Sequence, residues 1–251
     1  MVKVIVIGSG NVAQHLALAF LQSAETELVQ LFARDKSKLQ KFAEQVDITD
    51  DLLMLAKADL YIIAVSDDAV AAVSDQLPFE NRLVAHTSGS VSIDSLSSKN
   101  KKGVFYPLQT FSKSKSVDFS VIPICLEADP DYFGLLEKVA RSISGNVYTI
   151  DSAQRKALHV AAVFVNNFTN NLYKIAADIC EVNDIPFEIL KPLIRETAEK
   201  IMTLAPIDAQ TGPAKRNDVT TIQKHLALLS DENQKKIYHL LTQSIQHDQK
   251  L

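Results

Sequence analysis

The feature that most constrains the fold is a glycine-rich turn near the start of the chain, Gly8-Ser9-Gly10-Asn11-Val12-Ala13, which follows the apolar run Val2–Ile7. In this G-x-G-x-x-A pattern, Gly8 permits a tight turn and Gly10 lets the backbone approach a pyrophosphate, while the final alanine lets a helix pack closely on the strand. The helix that begins near Asn11 offers free N–H groups to the phosphates. We therefore predict that these six residues bind a dinucleotide; the alternative is a tight turn that binds nothing.

Apolar runs and helix-like stretches alternate over the first 150 residues. Most runs are continuously apolar, which is typical of strands buried on both faces of a parallel sheet. The predicted strands are residues 2–7, 28–33, 60–65, 83–85, 104–106, 121–126 and 147–150, and the predicted helices are residues 12–22, 36–45, 52–56, 69–76 and 132–142. This βαβ rhythm predicts an α/β fold with a doubly wound Rossmann sheet.

The pattern changes after residue 150, beyond which we find no convincing strand. Asp151 followed by Gln154 predicts a capping box that opens a long helix over residues 152–181. Further helices are predicted at 186–204, 218–229 and 231–246, with a loop at 205–217 that contains two prolines and a glycine. We therefore predict a Rossmann domain over residues 1–150 and an all-α domain for substrate binding and dimerisation over residues 151–251.

The amino-acid composition bears on which classes of binding partner are expected. The formal net charge is −4, which gives no field that would recruit nucleic acid or an anionic membrane. We expect no leader before the first strand, and no apolar run approaches the ~20 residues of a membrane span. The two cysteines are far apart and the six histidines lack ligand spacing, so we expect no disulfide framework and no metal site. A cytoplasmic location is expected.

The residues after the second predicted strand bear on the choice between NAD and NADP. An NAD-binding domain usually places an acidic residue there to hold the ribose 2′-hydroxyl. Here the strand ends Leu31-Phe32-Ala33-Arg34, and Arg34 can hold a 2′-phosphate, with Lys36 and Lys38 nearby. We predict NADP. Asp35 leaves an alternative open, because it could hold a ribose or cap the next helix.

Further cofactor contacts are predicted at the ends of two later strands, since ligands of open α/β sheets bind outside the carboxyl ends of the strands. They are Val65 and Ser66 after one strand, and His86, Thr87 and Ser88 after the next. Asp67 is expected to cap the following helix. Gly89 would let the backbone approach a ligand. For His86 to Ser88 the equally weighted alternative is a serine- and glycine-rich turn with a structural histidine.

The long predicted helix carries an unusual polar face. Asn166 and Asn170 lie within about 20° of His159 on a helical wheel, and Lys156 lies about 60° away. We predict His159 as the proton donor, because histidine titrates near neutral pH, with Asn166 and Lys156 beside it and Asn170 as a substrate contact. The alternative for His159 is a satisfied histidine at a domain or dimer interface.

Two loops supply the other predicted substrate contacts. Gln109 and Thr110 lie in the segment that follows the strand at residues 104–106. Lys215 and Arg216 could bind a substrate carboxylate or phosphate. For this second loop the alternative is a solvated loop, followed by a helix that Asp218 caps.

Together these segments resemble known proteins. The glycine turn, Phe32-Ala33-Arg34-Asp35 and Ala64-Val65-Ser66-Asp67 resemble pyrroline-5-carboxylate reductase and the superfamily of 6-phosphogluconate, 3-hydroxyacyl-CoA and prephenate dehydrogenases. The segments at 86–90, 105–111, 159–170 and 212–218 resemble an uncharacterised family of Rossmann-like NADP oxidoreductases with a helical C-terminal domain of unknown function. The C-terminal domain is thus expected to be like that of 6-phosphogluconate dehydrogenase.

This resemblance implies NADP binding and dimerisation through the C-terminal helices, and it implies no particular substrate. The chain departs from the family at Asn217, where glycine is expected; asparagine tolerates a positive φ better than most residues. It also lacks the Lys-x-x-x-Asn pair of the hydroxyacid dehydrogenases, because Val160 stands four residues after Lys156.

We therefore expect an NADP-dependent oxidoreductase that acts on a small carbonyl or imine compound. The alternatives are an NADP-binding sensor without turnover and a structural dimer module, which the intact glycine turn disfavours. Fold alone does not separate an enzyme from a sensor, but the polar face around His159 favours the enzyme.

Overall fold

A computed structural model describes residues 1–113 and 115–247. The chain forms two compact units, Met1–Asn166 and Asn167–Leu251. The division lies sixteen residues beyond the boundary predicted at residue 150, which coincides with the end of the last strand. The first unit keeps the start of the following helix because the side chain of Arg155 is fully buried there.

The first unit is built on an eight-stranded sheet in the order β3-β2-β1-β4-β5-β6-β7-β8. All neighbouring strands are parallel except β6 and β7. The order reverses between β1 and β4, which confirms the predicted doubly wound sheet. The strands are β1 (Val2–Ile7), β2 (Thr26–Phe32), β3 (Asp47–Thr49), β4 (Leu60–Ile63), β5 (Leu83–His86), β6 (Lys101–Pro107), β7 (Ile124–Ala128) and β8 (Val147–Thr149).

Two features of the sheet were absent from the sequence prediction. The short strand β3 contains only Asp47, Ile48 and Thr49, so it lacks the apolar run by which a strand is predicted from sequence. Strand β7 runs antiparallel to β6 because the described residues between them, 108–113 and 115–123, contain a single 3₁₀ turn, Phe119–Val121, and no crossover helix. The predicted strand at residues 121–126 accordingly begins only at Ile124.

The helices of the first unit are α1 (Asn11–Gln22), α2 (Val70–Asp75), α3 (Pro130–Arg141) and α4 (Ser152–Ala162). They cover a sheet buried on both faces, as the alternation along β1 shows: Val4 and Val6 belong to one core cluster and Ile5 and Ile7 to the other. The α-helices predicted at 36–45 and 52–56 are instead 3₁₀ helices, Lys36–Phe42 and Leu52–Met54.

The helix predicted over residues 152–181 begins with the expected capping box. The Asp151 carboxylate accepts a bond from the Gln154 N–H at 2.8 Å, and the Gln154 side chain accepts one from the Asp151 N–H at 3.0 Å. Helix α4 then passes into a π-helix, Val163–Phe168, before α5 (Thr169–Val182). Because hydrogen bonds in a π-helix span one residue more than in an α-helix, the helical wheel that grouped His159 with Asn166 and Asn170 does not hold across this segment.

The described residues of the second unit form helices joined by loops, without a strand. After α5 it contains a 3₁₀ turn (Phe187–Leu190), then α6 (Lys191–Lys200), α7 (Pro206–Ala209), α8 (Val219–Leu228) and α9 (Glu232–His247). The helix predicted over 186–204 is therefore shorter, and the predicted loop at 205–217 contains a single helical turn that begins at Pro206. Asn217 has φ +53°, the left-handed conformation anticipated for it.

Within the described residues, no helix is both long and apolar enough to cross a membrane. Cys125 and Cys180 are buried free thiols, in keeping with their interpretation as small apolar residues.

Candidate functional site

The glycine turn adopts the geometry that its sequence predicts. Gly8 has φ +141°, and a Cβ atom built on it would lie 2.1 Å from the carbonyl oxygen of Ala64. A side chain at this position would therefore collide with the backbone that follows β4. A Cβ atom on Gly10 would meet nothing within 4 Å, which leaves open space at the start of α1, where the sequence prediction places a pyrophosphate. Ala13 is buried behind the turn.

The side chain of Asn11 forms a hydrogen bond within the protein. Its amide donates to the carbonyl oxygen of Phe111 at 2.8 Å, which fixes the orientation of this side chain and leaves the backbone N–H of Asn11 free to face a phosphate. This bond also places the segment around Phe111 at the first turn of α1. Gln109 and Thr110, predicted as substrate contacts, are exposed in this segment, where the Gln109 side chain accepts a bond from the Thr110 N–H at 2.7 Å.

Arg34 is exposed just beyond β2, and within residues 1–113 and 115–247 it forms no ion pair. Its neighbours differ in this respect. Lys36 lies 3.0 Å from the carboxylate of Asp50, and Lys38 lies 3.9 Å from that of Asp35. Of the three cations predicted near a 2′-phosphate, Arg34 is thus the one without a carboxylate partner.

Asp35 takes the capping role that was one of its two interpretations. Its Oδ1 atom accepts bonds from the backbone N–H of Ser37 at 3.1 Å and from the Ser37 hydroxyl at 2.6 Å. The Ser37 hydroxyl lowers the pKa of this carboxyl below its usual value. The carboxylate is therefore engaged with its own 3₁₀ helix.

The loop after β4 differs from its prediction at one residue. Ser66, and not Asp67, is the N-cap of the 3₁₀ helix Asp67–Ala69. The carboxylate of Asp67 instead accepts a hydrogen bond from the hydroxyl of Ser90, which joins the loops that follow β4 and β5. Val65 is half-buried and Ser66 is exposed at this edge of the sheet.

The loop after β5 is internally hydrogen-bonded. His86 is fully buried, and its Nδ1 atom accepts a bond from the Ser88 N–H at 3.2 Å. Burial, reinforced by the charge of Arg155, lowers the pKa of His86 to about 4, so its ring is neutral at physiological pH. The Ser88 hydroxyl accepts bonds from the N–H groups of Ser90 and Val91.

Thr87 is also buried, and its N–H donates to the Ile63 carbonyl at 3.1 Å. The contacts of His86, Thr87 and Ser88 are those of a structured turn. This turn lies at the carboxyl edge of the sheet, where their predicted contact with a cofactor would also occur.

His159 lies against this same edge. Its Nδ1 atom is 3.1 Å from the hydroxyl of Tyr106, and the two rings meet edge-on with centroids 6.2 Å apart. A Cβ atom built on Gly89 would lie 2.6 Å from His159 Nδ1 and 2.9 Å from the Tyr106 oxygen. Only glycine at this position lets α4 bring a histidine so close to the loop after β5.

A buried ion pair that sequence reasoning missed holds α4 in place. The guanidinium of Arg155 is fully buried and donates to the carboxylate of Glu127, to the Val91 carbonyl at 2.6 Å and to the Ser152 hydroxyl at 3.0 Å. Because Arg155 stands four residues before His159, it anchors the helical turn that carries this histidine. Nothing in the sequence marked Arg155, since arginine near a helix start is usually solvated.

The other predicted site residues are distributed over both units. Lys156 is exposed on α4, and Asn166 is exposed in the π-helix, at the last residue of the first unit. Asn170 belongs to the second unit, as do Lys215 and Arg216.

In the loop of the second unit, the Nζ atom of Lys215 lies 3.4 Å from the carbonyl of Ile207, and Arg216 is exposed. Asp218 caps α8 by accepting a bond from the Thr221 N–H at 3.0 Å, which confirms the capping interpretation. Among the described residues, no three His, Cys, Asp or Glu side chains are placed to hold a metal ion.

A doubly wound sheet with this glycine turn defines a dinucleotide-binding protein of the Rossmann type. Two family models match the sequence: one described as "NADP oxidoreductase coenzyme F420-dependent" over residues 3–91, and a domain of unknown function (DUF2520) over residues 122–245. A search of curated proteins found no match.

Solved structures define the family more closely. A candidate NADP oxidoreductase from Bacteroides fragilis is 38% identical, with 98% of both chains covered and a TM-score of 0.88. The chain belongs to the same family as the Bacteroides fragilis protein. This is the family of Rossmann-like NADP oxidoreductases with a helical C-terminal domain, as the resemblance predicted. NADP is the cofactor of this family, which agrees with the choice of NADP over NAD.

More distant structures share the fold. A protein from Thermotoga maritima is 21% identical over 97% of this chain and 99% of its own, with a TM-score of 0.78. A reductive aminase from Aspergillus terreus, solved with NADPH and ethyl levulinate, is 16% identical over 98% and 94%, with a TM-score of 0.71.

Proposed function

We propose that this protein is an NADP-dependent reductase of small carbonyl or imine compounds, with His159 as the proton donor. The observation that carries the proposal is the contact of His159 with Gly89, at the carboxyl edge of the sheet. Ligands of open α/β sheets bind outside this edge. A histidine held there is suited to a reduction that consumes one proton. The NADPH complex of the reductive aminase with the same fold supports this class of reaction.

The residues of the glycine turn fit the cofactor. Gly10 leaves room for a pyrophosphate, and the first backbone N–H groups of α1 would bind it. Arg34 would hold the 2′-phosphate, with Lys38 as a second cation. Val65, Ser66, His86, Thr87 and Ser88 would line the sheet edge beside the rest of the dinucleotide.

NADPH, when bound, supplies the hydride. His159 would donate a proton to the carbonyl oxygen or imine nitrogen as the neighbouring carbon is reduced, which yields an alcohol or an amine. Lys156 and Asn166 are proposed to lie near this proton donor, and Gln109 and Thr110 to contact the substrate. Asn170, Lys215 and Arg216 stay predicted substrate contacts from the second unit.

We also propose a homodimer formed through the C-terminal helices. Of the described residues in the second unit, few side chains are buried: Cys180, Ala214, Ile222 and Thr242. Many large apolar side chains are exposed, and Val182 and Met202 reach 75% and 77% exposure. A surface this apolar is typical of a protein–protein interface. A second copy of the chain would cover it.

The test of the reductase proposal is NADPH oxidation with two probes, a ketone (ethyl levulinate) and a cyclic imine (methylpyrroline), with the reduced product identified by mass spectrometry. NADPH deuterated at the transferred position should add one deuterium to the product. His159→Gln should lower turnover by about 10²–10⁴-fold and leave NADPH affinity nearly unchanged.

His225 offers a matched control, because its Nδ1 atom also pairs with a tyrosine hydroxyl, that of Tyr238, at 2.8 Å. His225→Gln should leave turnover intact. Equal losses in both variants would remove His159 from the proposed chemistry. NADPH binding without turnover of either probe would favour a sensor.

A further inference from the structure

Tyr106 and His159 form a pair that three elements of the first unit hold together. Tyr106 lies on β6 and is 9% exposed, whereas His159 lies on α4 and is partly exposed. Gly89, in the loop after β5, approaches both rings so closely that a Cβ atom there would lie within 3 Å of each. The pair therefore has little freedom to separate without moving one of these elements.

The surroundings keep Tyr106 protonated. Burial raises the pKa of Tyr106, as does Cys125 of the neighbouring β7, while Arg155 opposes them and Asp67 adds to the increase. The Tyr106 hydroxyl can therefore donate a hydrogen bond to Nδ1 of His159 when the ring carries its proton on Nε2, and its oxygen can accept one when Nδ1 is protonated. In both cases Nδ1 is paired with Tyr106, whereas the described part of the chain provides no hydrogen-bond partner for Nε2.

The buried ion pair fixes the position of this histidine along the helix. Arg155 binds Glu127 on β7 and the carbonyl of Val91, two residues after Gly89. It thereby attaches the first turn of α4 both to the sheet and to the loop that contacts His159. The ring of His159 is thus located by Arg155 and oriented by Tyr106.

We propose that Tyr106 is the positioning residue that reserves Nε2 of His159 for proton transfer, an inference that rests on the proposed reductase function. A complete relay through Tyr106 would leave a buried tyrosinate, which burial disfavours. The transferred proton instead comes from the imidazolium, in which the Tyr106 oxygen accepts a hydrogen bond from Nδ1–H and the Nε2 proton passes to the substrate oxygen or nitrogen.

This step balances. The substrate carbon gains a hydride and its heteroatom gains a proton, so the substrate is reduced while NADPH becomes NADP⁺. The imidazolium becomes neutral imidazole, which recovers a proton from water because His159 is only partly buried.

The first test requires no substrate. Long-range ¹⁵N–¹H correlation spectra of the protein with NADP⁺ report which ring nitrogen of each histidine carries the proton, and His159→Gln assigns the His159 signals. Neutral His159 should be the Nε2–H tautomer in the wild type and should become a mixture in Tyr106→Phe. The signals of His225 should change in Tyr238→Phe and not in Tyr106→Phe. An Nδ1–H tautomer in the wild type would overturn the proposal without any variant.

The second test is kinetic. Tyr106→Phe should lower kcat by about tenfold, as expected for one lost hydrogen bond, while the Kd for NADPH stays unchanged. A wild-type rate together with an unchanged tautomer would refute the role of Tyr106 and leave the reductase proposal intact. If the wild type turns over neither probe, the reductase proposal fails. The role of Tyr106 in proton transfer then fails as well, even if the spectra show the expected tautomer of His159.

Discussion

Replacing Glu127 by glutamine should destabilise the first unit strongly. The substitution preserves the shape of the side chain but removes the only carboxylate bonded to Arg155 among the described residues, and the guanidinium is fully buried. Breaking a buried pair by removing one partner costs about 3–5 kcal/mol, because the remaining charge is left uncompensated. The bonds of Arg155 to Val91 and Ser152 would not neutralise that charge.

A second glutamate provides the matched control. Glu137 also accepts two bonds from an arginine, Arg141, at 2.9 and 2.7 Å, but both side chains lie on the surface of α3. Glu137→Gln should cost at most about 0.5 kcal/mol. The same chemical change is made in both variants. The difference between their losses of unfolding free energy therefore measures the effect of burying the ion pair.

The assay is urea unfolding followed by circular dichroism, since the chain has no tryptophan. Hydrogen exchange of the peptide that covers α4 would assign the lost stability to the first unit. Replacing Glu127 with leucine and Arg155 with methionine together should recover much of the loss, because no unpaired charge then remains. Similar small losses for Glu127→Gln and Glu137→Gln would refute the conclusion that the ion pair holds α4 in place.

Four further predictions concern other parts of the chain. Arg34→Ala should weaken NADPH binding about tenfold or more in a fluorescence titration and leave NADH binding unchanged, because a charge-assisted phosphate bond contributes about 1.5–3 kcal/mol; equal losses for both cofactors would contradict its role. Gly8→Ala should cost at least about 2 kcal/mol in urea unfolding, because the added carbon meets backbone at 2.1 Å in a positive-φ residue. In the control Gly134→Ala the added carbon meets nothing within 4 Å, and this helical substitution should stabilise the protein by about 0.5–1 kcal/mol. Because the pKa of His86 is lowered in the folded protein, the unfolded chain binds a proton more readily between about pH 6.5 and pH 4, and the free energy of unfolding should fall by up to about 3 kcal/mol as the pH drops through this range. His86→Gln should remove this part of the pH dependence of the unfolding free energy. An unchanged pH dependence in the variant would show that His86 is not its source. Light scattering at micromolar concentration should give twice the 27.7 kDa mass of one chain, and a monomer would contradict the proposed dimer.

Sequence reasoning succeeded where interactions between near neighbours decide the structure. The turn at Gly8 follows its strand as predicted, the capping box at Asp151 forms, and Asp218 caps α8. Asn217 adopts a positive φ. In each case the contacts that matter lie within a few residues along the chain or follow from the conformation of one residue.

The sequence was least informative where the partner lies far along the chain. Asp67 has the pattern of a helix cap, but it binds Ser90, 23 residues away. Arg155 looks like an exposed residue in the first turn of a helix, but its partner Glu127 stands 28 residues earlier. Tyr106 lay within a motif noted in the sequence, yet only the fold places it beside His159. Hydrophobic periodicity carries no signal for such pairs.

The most direct test of the proposed function is a crystal structure of the protein with NADP⁺. It should show the adenosine 2′-phosphate at Arg34 and the pyrophosphate at the start of α1. It should also show Nε2 of His159 facing the nicotinamide, close enough to reach a bound substrate directly or through one water. A His159 ring more than about 10 Å from the nicotinamide, in its own subunit and in any partner subunit, would exclude it as the proton donor.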